Sequence, residues 1–362
     1  MTLPESKELP ISLLAACFNK TSATYKFYWL LSILQSAENG TLKVTKRELF
    51  SRMISNSWFT VNYFNVSFGK QDLIQNTIRS INSFESITID EKREKVFQKL
   101  FRTKNSDTEK LLSHFNKNVP HWFLSPWFPK TENETDSMRE KRIYSESQKF
   151  ESKSIYALHQ DYIEINPYWV NYLISNSRVL KDFCFWNLAL FLQSKNPNVP
   201  DIPNKLIKPA TRNGLNKQRT QFWDVVLDEL GSVNCIYTGQ KLTKGNYAVE
   251  HFIPYSFVSH DLIWNLIPAN KSFNSSKSNK LPVLEKYFEP FYQLQKNAYE
   301  IVRRKTPKNK ILEDYLTILH IEENGSIKEV DDLREIFWSL GIIGDSFEKI
   351  RQYLTLDQSG FV

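Results

Sequence analysis

The chain has 362 residues, of which 41% are hydrophobic and 24% are charged, the proportions of a folded protein with a packed core and not of a disordered chain. This length suits two domains or three. Because no run of 18 apolar residues occurs, we expect no membrane span. A formal net charge of +7 permits a nucleic-acid partner without requiring one.

The three cysteines, Cys17, Cys184 and Cys235, lie far apart, and none belongs to a CxxC pair. Structural zinc sites in small modules use paired cysteines, so we expect no structural zinc. Unpaired cysteines, and an N-terminus without the pattern of a secretory signal peptide, are typical of the reducing cytoplasm. We therefore expect a cytoplasmic location.

Helical periodicity dominates the first 129 residues. Thr45 and Glu48 form a capping-box pattern at the start of one helix, and Tyr25 and Trp29 lie one turn apart on another, where we expect them in the core. The helices predicted here cover residues 21–35, 45–57, 71–83, 90–103 and 106–115. The proline-rich segment 119–129 cannot be a regular helix, and we interpret it as a packed connector that ends an N-terminal helical domain, residues 1–129.

Residues 130–200 are predicted to form a linker, a small β element and buried helices. Residues 130–153 are strongly polar and indicate a loop. Residues 155–165 nearly alternate apolar and polar side chains, which predicts a hairpin. A helix then starts with Pro167 at its first position, and a second helix, over 179–193, is apolar enough that we expect it to be buried.

Positive charge is concentrated between residues 201 and 310, which hold 17 Lys and Arg but 9 Asp and Glu, an excess of +8. Three of these cations, Arg212, Lys217 and Arg219, immediately precede a predicted helix at 220–230. Cations so placed can contact nucleic-acid phosphates. Simple surface charge is the alternative.

Arg303 and Arg304 end a long helix predicted over 283–304, in which Pro290 should cause a kink or a split. One interpretation of this basic cluster is a DNA clamp. The other is a solvated helix end whose positive charge complements the helix dipole. Further helices are predicted over 311–321, 330–340 and 345–355, within a C-terminal segment of residues 311–362.

The segment from residue 235 to residue 282 carries the pattern that can be interpreted chemically. Two short apolar runs, 235–237 and 247–253, flank a turn at Gly239 and predict a β-hairpin. Glu250 and His251 lie near the end of its second strand. A polar, helix-like run follows over 269–280.

Three positions in this segment, His251, Asn265 and Asn274, have a characteristic spacing. The segment resembles the HNH endonuclease family, and it is similar to the HNH domain of RNA-guided CRISPR nucleases. The shared elements are Tyr237-Thr238-Gly239, Pro254-Tyr255-Ser256, Lys277-Ser278 and Pro282. The resemblance implies a small ββα-metal (His-Me finger) module within residues 201–310. Together with the helical periodicity of the rest of the chain, this predicts a mainly α protein with that module in its C-terminal half.

The resemblance also implies roles for individual residues. His251 would be the general base, and Glu250 and Asn274 would hold Mg²⁺ or Mn²⁺. Asn265, grouped with the catalytic residues, would pin the loop through hydrogen bonds to the backbone. The family more often has Asp at position 250, and the extra methylene of Glu moves the carboxylate outward by one bond.

The residue chemistry agrees with these roles. A neutral imidazole suits general-base catalysis near neutral pH, and Mg²⁺ binds through one or two protein oxygens while it keeps several waters. Lys277 lies three residues after Asn274 on the same helix face, where we predict that it holds a phosphate oxygen.

We therefore expect a metal-dependent endonuclease that hydrolyses phosphodiester bonds, in DNA above all, by nicking or by cutting both strands as a dimer. By analogy alone, it would be an effector of bacterial anti-phage defence or restriction. The N-terminal helical domain would meet a protein partner, recognise a target or restrain the nuclease, and no membrane partner is expected. The alternatives are a catalytically inert nucleic-acid-binding or sensor subunit, and a sequence-specific nuclease of a mobile element.

Overall fold

The computed structural model describes residues 2–207 and 214–317. The chain divides into two compact units, Met1–Ala210 and Thr211–Val362. Arg212 and the helices predicted over 330–340 and 345–355 lie outside the described residues. The domain limits set out above stay predictions.

Helices build most of the first unit. Its described α-helices are α1 (Ile11–Ala16), α2 (Tyr25–Glu38), α3 (Lys46–Asn62), α4 (Leu73–Glu85), α5 (Arg93–Phe101), α6 (Ser106–Ser113), α7 (Pro120–Phe123), α8 (Asp136–Ser147), α9 (Pro167–Ser175), α10 (Ser177–Lys195) and α11 (Ile202–Ile207), with 3₁₀ turns at His114–Lys117 and Phe150–Ser152.

Helix α2 lies at the centre of this unit, where it packs against α3, α9 and α10. Trp29 and Ile33 are completely buried, and the Trp29 indole Nε1 donates a hydrogen bond to the Tyr156 hydroxyl at 3.0 Å. The prediction that Tyr25 and Trp29 belong to the core is confirmed. The buried indole has a polar partner, as such a group requires.

Helix α3 begins where the capping pattern predicts. The Thr45 hydroxyl accepts a hydrogen bond from the Glu48 amide at 3.2 Å. The helix continues to Asn62, beyond the predicted end at residue 57, because Trp58 and Val61 extend its buried face.

A small antiparallel sheet joins distant parts of the first unit. Its strands are β1 (Lys43–Thr45), β2 (Tyr156–Leu158) and β3 (Tyr162–Ile165), in the order β1-β3-β2. The hairpin predicted over residues 155–165 is confirmed. Strand β1 was not predicted, because three residues are too few to show a clear alternation.

The prediction of a loop over residues 130–153 is wrong, because α8 occupies its middle. The Thr135 hydroxyl caps this helix by accepting a hydrogen bond from the Met138 amide at 3.2 Å. An ion pair of 2.7 Å joins Arg142 to Glu134, and Ile143 is completely buried. The polar composition thus reflects a helix with a broad solvent face and a narrow buried face.

The prediction that the helix after residue 179 is buried holds for only one side of α10. Leu188 and Leu192 are completely buried, but Trp186 and Leu190 are each 54% exposed. An apolar sequence alone does not distinguish a helix enclosed on all sides from one that leaves an apolar side exposed.

The second unit mixes short strands and helices. Its described elements are α12 (Asn216–Gln218), a π-helical turn (Arg219–Trp223), α13 (Asp224–Leu230), β4 (Val233–Asn234), β5 (Lys241–Leu242), β6 (Ala248–His251), α14 (Tyr255–Val258), a 3₁₀ turn (Ile263–Asn265), β7 (Leu266–Ala269), α15 (Lys271–Lys277), α16 (Leu284–Lys305) and a second 3₁₀ turn (Lys310–Thr317). None of the helices described in either unit has both the length and the apolar character needed to cross a bilayer.

The predicted partner of the strand that carries Glu250 and His251 is wrong. Residues 235–237 lie in the turn between β4 and β5, and β6 pairs instead with β7 in antiparallel register. Every residue of β7 is buried, so pairing with β7 places β6 in the interior of the unit. The ββα unit is therefore β6, β7 and α15.

Helix α16 runs without interruption through Pro290, so the predicted split does not occur. Pro290 is exposed, and solvent can satisfy the backbone carbonyl that the proline nitrogen leaves without a donor. The opposite side of α16 carries buried residues such as Tyr292 and Tyr299, which hold the helix in the second unit.

Candidate active site

Strand β6 and helix α15 bring the predicted site residues into one region. In the β6–β7 register, Glu250 lies opposite Ile267 and His251 opposite Leu266. Asn270 follows β7 directly and caps α15, since its side-chain oxygen accepts a hydrogen bond from the Phe273 amide at 3.0 Å. The short connection between β7 and α15 places that helix against β6.

The His251 side chain lies at the end of β6 and is almost completely enclosed, with 4% of the residue exposed. Its Nε2 atom is 2.8 Å from Oδ1 of Asp261. The Tyr255 ring meets the imidazole edge-on, with the ring centres 5.6 Å apart. The imidazole is therefore held in one orientation.

Asp261 was not predicted as a site residue. It lies in an irregular loop, where no helical or strand periodicity applies, and it is not one of the residues that carry the family resemblance described above. One signal was present in the sequence, since Asp261 is the only acidic residue between Glu250 and Glu285. A lone carboxylate near a proposed general base is a candidate partner for that base.

The Glu250 carboxylate faces helix α15 and not Asp261, the residue that pairs with the His251 imidazole. The Lys277 ammonium donates hydrogen bonds to Glu250 Oε1 and to the His251 carbonyl, both at 2.8 Å. Both side chains are buried. Lys277 is thus an internal cation in the structure, and the phosphate contact predicted for it stays a prediction.

Asn265 holds the loop between β6 and β7. Its side-chain oxygen accepts a hydrogen bond from the Ile253 amide and its side-chain nitrogen donates one to the Ile253 carbonyl, both at 2.8 Å. Asn265 is completely buried. This is the backbone-pinning geometry that the resemblance implied for the residue.

Asn274 is half-buried on α15, one helical turn before Lys277. Residues three apart on a helix share a face, so Asn274 lies on the side of α15 that meets Glu250. Within the described part of the chain, no hydrogen bond reaches the Asn274 side chain or Glu250 Oε2. The side-chain oxygen of Asn274 and Oε2 of Glu250 are therefore available to coordinate a ligand.

These donors fit a hard divalent cation. Mg²⁺ needs only one or two protein oxygens because it keeps several waters, and a carboxylate oxygen and an amide oxygen are suitable donors. In the described ranges no group of three or more His, Cys, Asp or Glu side chains lies close enough to form a protein-only cage. Glu250 and Asn274 would hold such an ion, with water completing its coordination.

The predicted phosphate contacts have different surroundings. Lys217 and Arg303 are exposed, whereas the Arg219 guanidinium lies over the Tyr247 ring at 4.8 Å from its centre. Arg304 forms an ion pair of 2.7 Å with Glu229. Lys217 and Arg303 therefore present their charges at the surface.

A half-buried tyrosine borders the site. The Tyr237 ring stacks on Phe273 of α15, with the ring centres 4.5 Å apart. Burial raises the pKa of Tyr237 well above its ordinary value, and the nearby negative charge of Glu250 adds to this shift. The hydroxyl therefore stays protonated, and the ring serves to pack the β4–β5 turn against α15.

An antiparallel strand pair followed by a helix, with an acidic residue and a histidine at the strand end and an amide on the helix, is the architecture of ββα-metal nucleases. A family model described as HNH endonuclease matches residues 235–283. This stretch is therefore an HNH endonuclease domain, and the predicted fold class, mainly α with a small ββα module in the C-terminal half, is confirmed. Comparison with curated proteins and with solved structures gives no match.

Proposed function

We propose that the protein is a divalent-metal-dependent endonuclease that hydrolyses phosphodiester bonds in DNA. One observation carries the proposal: within a matched HNH endonuclease domain, an oriented histidine and a buried glutamate share the end of β6, beside the helix that bears Asn274. A base, an acidic ligand and an amide ligand are the groups that metal-assisted hydrolysis requires.

The chain's own residues divide the chemistry among them. His251 takes the proton from the attacking water, and Asn265 keeps the loop after β6 in place through its two bonds to Ile253. A divalent ion held by Glu250 and Asn274 would neutralise charge on the phosphate and on the leaving oxygen. The exposed cations Lys217 and Arg303 are suited to bind flanking phosphates.

The choice of DNA rests on the resemblance to DNA-cutting HNH domains and on the positive charge around the domain. Residues 201–310 carry an excess of +8, which favours a polyanionic substrate. We extend the proposal to a role as an effector of bacterial anti-phage defence or restriction. The first unit would then recognise a target or a partner protein.

Cleavage of a supercoiled plasmid tests the activity. The wild-type protein should nick or linearise the plasmid with Mg²⁺ or Mn²⁺ but not with EDTA, and His251→Ala should lower the rate about 10²- to 10⁴-fold. Asn274→Ala should raise the Mg²⁺ concentration needed for half-maximal rate, whereas Asn297→Ala, at an exposed amide of α16, should not. Wild-type protein that leaves the plasmid intact with every metal would contradict the proposal.

A second candidate is a catalytically inert nucleic-acid-binding subunit. The observation that favours it is the ion pair between Lys277 and Glu250, because one oxygen of the proposed acidic ligand is already engaged. Measurement of DNA binding alongside cleavage separates the two functions. A nuclease whose His251→Ala variant binds DNA but does not cut it supports the first, and a wild-type protein that binds DNA without cutting it supports the second.

A further inference from the structure

We propose that Asp261 is a positioning residue for His251: its carboxylate holds the imidazole by Nε2, so that Nδ1 is the nitrogen that accepts the proton from the attacking water. This inference rests on the proposed function, and it names a residue and an atom for its proton-transfer step. It follows from three features of the structure.

The first feature is the contact itself. Nε2 of His251 and Oδ1 of Asp261 are 2.8 Å apart, the length of a charge-assisted hydrogen bond. An ionised carboxylate can only accept, so Nε2 must carry the hydrogen. In a neutral imidazole the other nitrogen, Nδ1, is then unprotonated and has a lone pair available for a proton.

The second feature is the freedom of Nδ1. Within the described residues, no group forms a hydrogen bond with Nδ1. Some of their side-chain nitrogen and oxygen atoms are fully buried without a hydrogen-bond partner, and Nδ1 is not one of these. Nδ1 therefore accounts for part of the small exposed area of His251. The one nitrogen that can act as a base is also the one that water can reach.

The third feature is the anchoring of the aspartate. Gln218 of α12 donates a hydrogen bond from Nε2 to the Asp261 carbonyl at 3.1 Å, and the Asp314 carboxylate accepts one from the Ile263 amide at 2.9 Å. Gln218 and Asp314 both lie outside residues 235–283, the span of the family match. The flanking segments of this chain, and not the HNH domain alone, hold the loop that presents Asp261.

Charge also suits this role. When His251 accepts a proton, the imidazolium that forms lies 2.8 Å from the Asp261 carboxylate, which stabilises the positive charge and fixes the ring orientation. The Asp261 side chain is 26% exposed, so the stabilisation is smaller than in a fully buried pair. We therefore expect its loss to lower the cleavage rate about 10- to 100-fold.

The experiment compares the wild-type protein with Asp261→Ala, Asp261→Glu and a matched control, Asp228→Ala, which removes an exposed carboxylate paired with Lys244 in the same unit. Plasmid cleavage gives kcat, KM and the Mg²⁺ concentration for half-maximal rate. Nitrogen-15 NMR of the metal-free protein, with His251 assigned by comparison with His251→Ala, shows which ring nitrogen carries the hydrogen. Circular dichroism checks that each variant is folded.

The inference expects the Nε2–H tautomer in the wild-type protein and a mixture of tautomers in Asp261→Ala. It also expects a lower kcat for Asp261→Ala at unchanged KM and unchanged Mg²⁺ requirement, a rate within about tenfold of wild type for Asp261→Glu, and wild-type behaviour for Asp228→Ala. An Nδ1–H tautomer in the wild-type protein, or full activity of Asp261→Ala, would overturn it. A raised Mg²⁺ requirement in Asp261→Ala would also overturn it and would identify Asp261 as a metal ligand.

These outcomes are separate from a failure of the proposed function. A wild-type protein that cleaves no DNA refutes the endonuclease proposal before any variant is compared, and the positioning role falls with it. If the wild-type protein cleaves DNA and Asp261→Ala cleaves it equally well, only the positioning role of Asp261 is refuted.

Discussion

At the scale of single residues, a buried ion pair between Lys277 and Glu250 joins α15 to β6 in the second unit. Both side chains are almost fully enclosed, and Lys277 also holds the His251 carbonyl. Removal of one partner from a buried pair leaves an uncompensated charge, which is far more costly than the loss of an exposed pair.

We expect Lys277→Met to lower the free energy of unfolding by about 3 to 5 kcal/mol, because Glu250 is left buried without its cation. The matched control is Lys244→Met, which breaks the exposed pair with Asp228 and should cost no more than about 1 kcal/mol. Urea denaturation of both variants measures the difference. The double variant Lys277→Met/Glu250→Gln should recover much of the loss, and equal effects of the two single variants would show that the buried pair has no special role.

Sequence patterns predicted the residues with recurring spacing but not the contacts that they make. His251, Asn265, Glu250 and Asn274 were singled out by their order along the chain, and the structure shows that Asn265 bonds to the Ile253 backbone. Asp261 was missed because its partner is ten residues away across an irregular loop, where no periodicity applies. The pairing of Lys277 with Glu250 likewise depends on the packing of α15 against β6.

At the scale of secondary-structure elements, the position of α15 depends on its first residue. Asn270 caps the helix through its bond from the Phe273 amide, and its side-chain nitrogen donates to Gln240 Oε1 at 2.5 Å. This second bond ties the helix start to the segment that follows β4. One side chain therefore sets both the start of α15 and its attachment.

We expect Asn270→Ala to cost about 1 kcal/mol of unfolding free energy and to raise the Mg²⁺ concentration needed for cleavage, because α15 carries Asn274. Thr45→Ala removes a comparable cap from α3 in the other unit. It should cost a similar amount without any change in the Mg²⁺ requirement. Thermal unfolding and plasmid cleavage measure the two effects, and identical cleavage by both variants would rule out a link between the cap and the site.

Helices with strong end signals were the easiest elements to predict, and pairing between strands was the hardest. Thr45 and Pro167 mark helix starts that the structure confirms. The strand with Glu250 and His251 was predicted correctly, but its partner was not, because β7 follows a loop of irregular structure. Which strands pair depends on burial by the rest of the unit, and local sequence does not report this.

At the scale of the whole molecule, charge and burial make stability depend on pH. Burial lowers the pKa of Lys46 in the first unit to about 8, and its ammonium donates a hydrogen bond to the Tyr144 hydroxyl at 2.8 Å. In the unfolded chain a lysine keeps its proton to about pH 10.4. Between these two values the unfolded state binds more protons than the folded state.

We therefore expect the Lys46 contribution to increase the free energy of unfolding as pH rises from about 8 to about 10. Lys46→Met should reduce the slope of stability against pH in this window by up to about 1.4 kcal/mol per pH unit. Lys149→Met removes the same charge from an exposed position and should leave the slope unchanged. Urea denaturation at a series of pH values measures both slopes, and parallel curves for the wild-type protein and Lys46→Met would contradict the expectation.

The sequence allowed more to be predicted about the second unit than about the first. The charge excess between residues 201 and 310 surrounds the HNH endonuclease domain, so composition and motif predicted the same region. The first unit has no such motif, and its exposed Trp186 and Leu190 became evident only from the structure. Composition reports how much apolar surface a chain has, whereas folding decides which part of it stays outside.

The salt bridge between Lys277 and Glu250 also means that folding of the HNH endonuclease domain need not depend on a metal ion. Zinc modules held together by their ion unfold when a chelator removes it, but here an ammonium that belongs to the polypeptide already balances the internal carboxylate. The HNH endonuclease domain should then reach its native shape during synthesis whatever the supply of divalent ions, and chelation should stop the proposed metal-dependent cleavage without denaturing the domain.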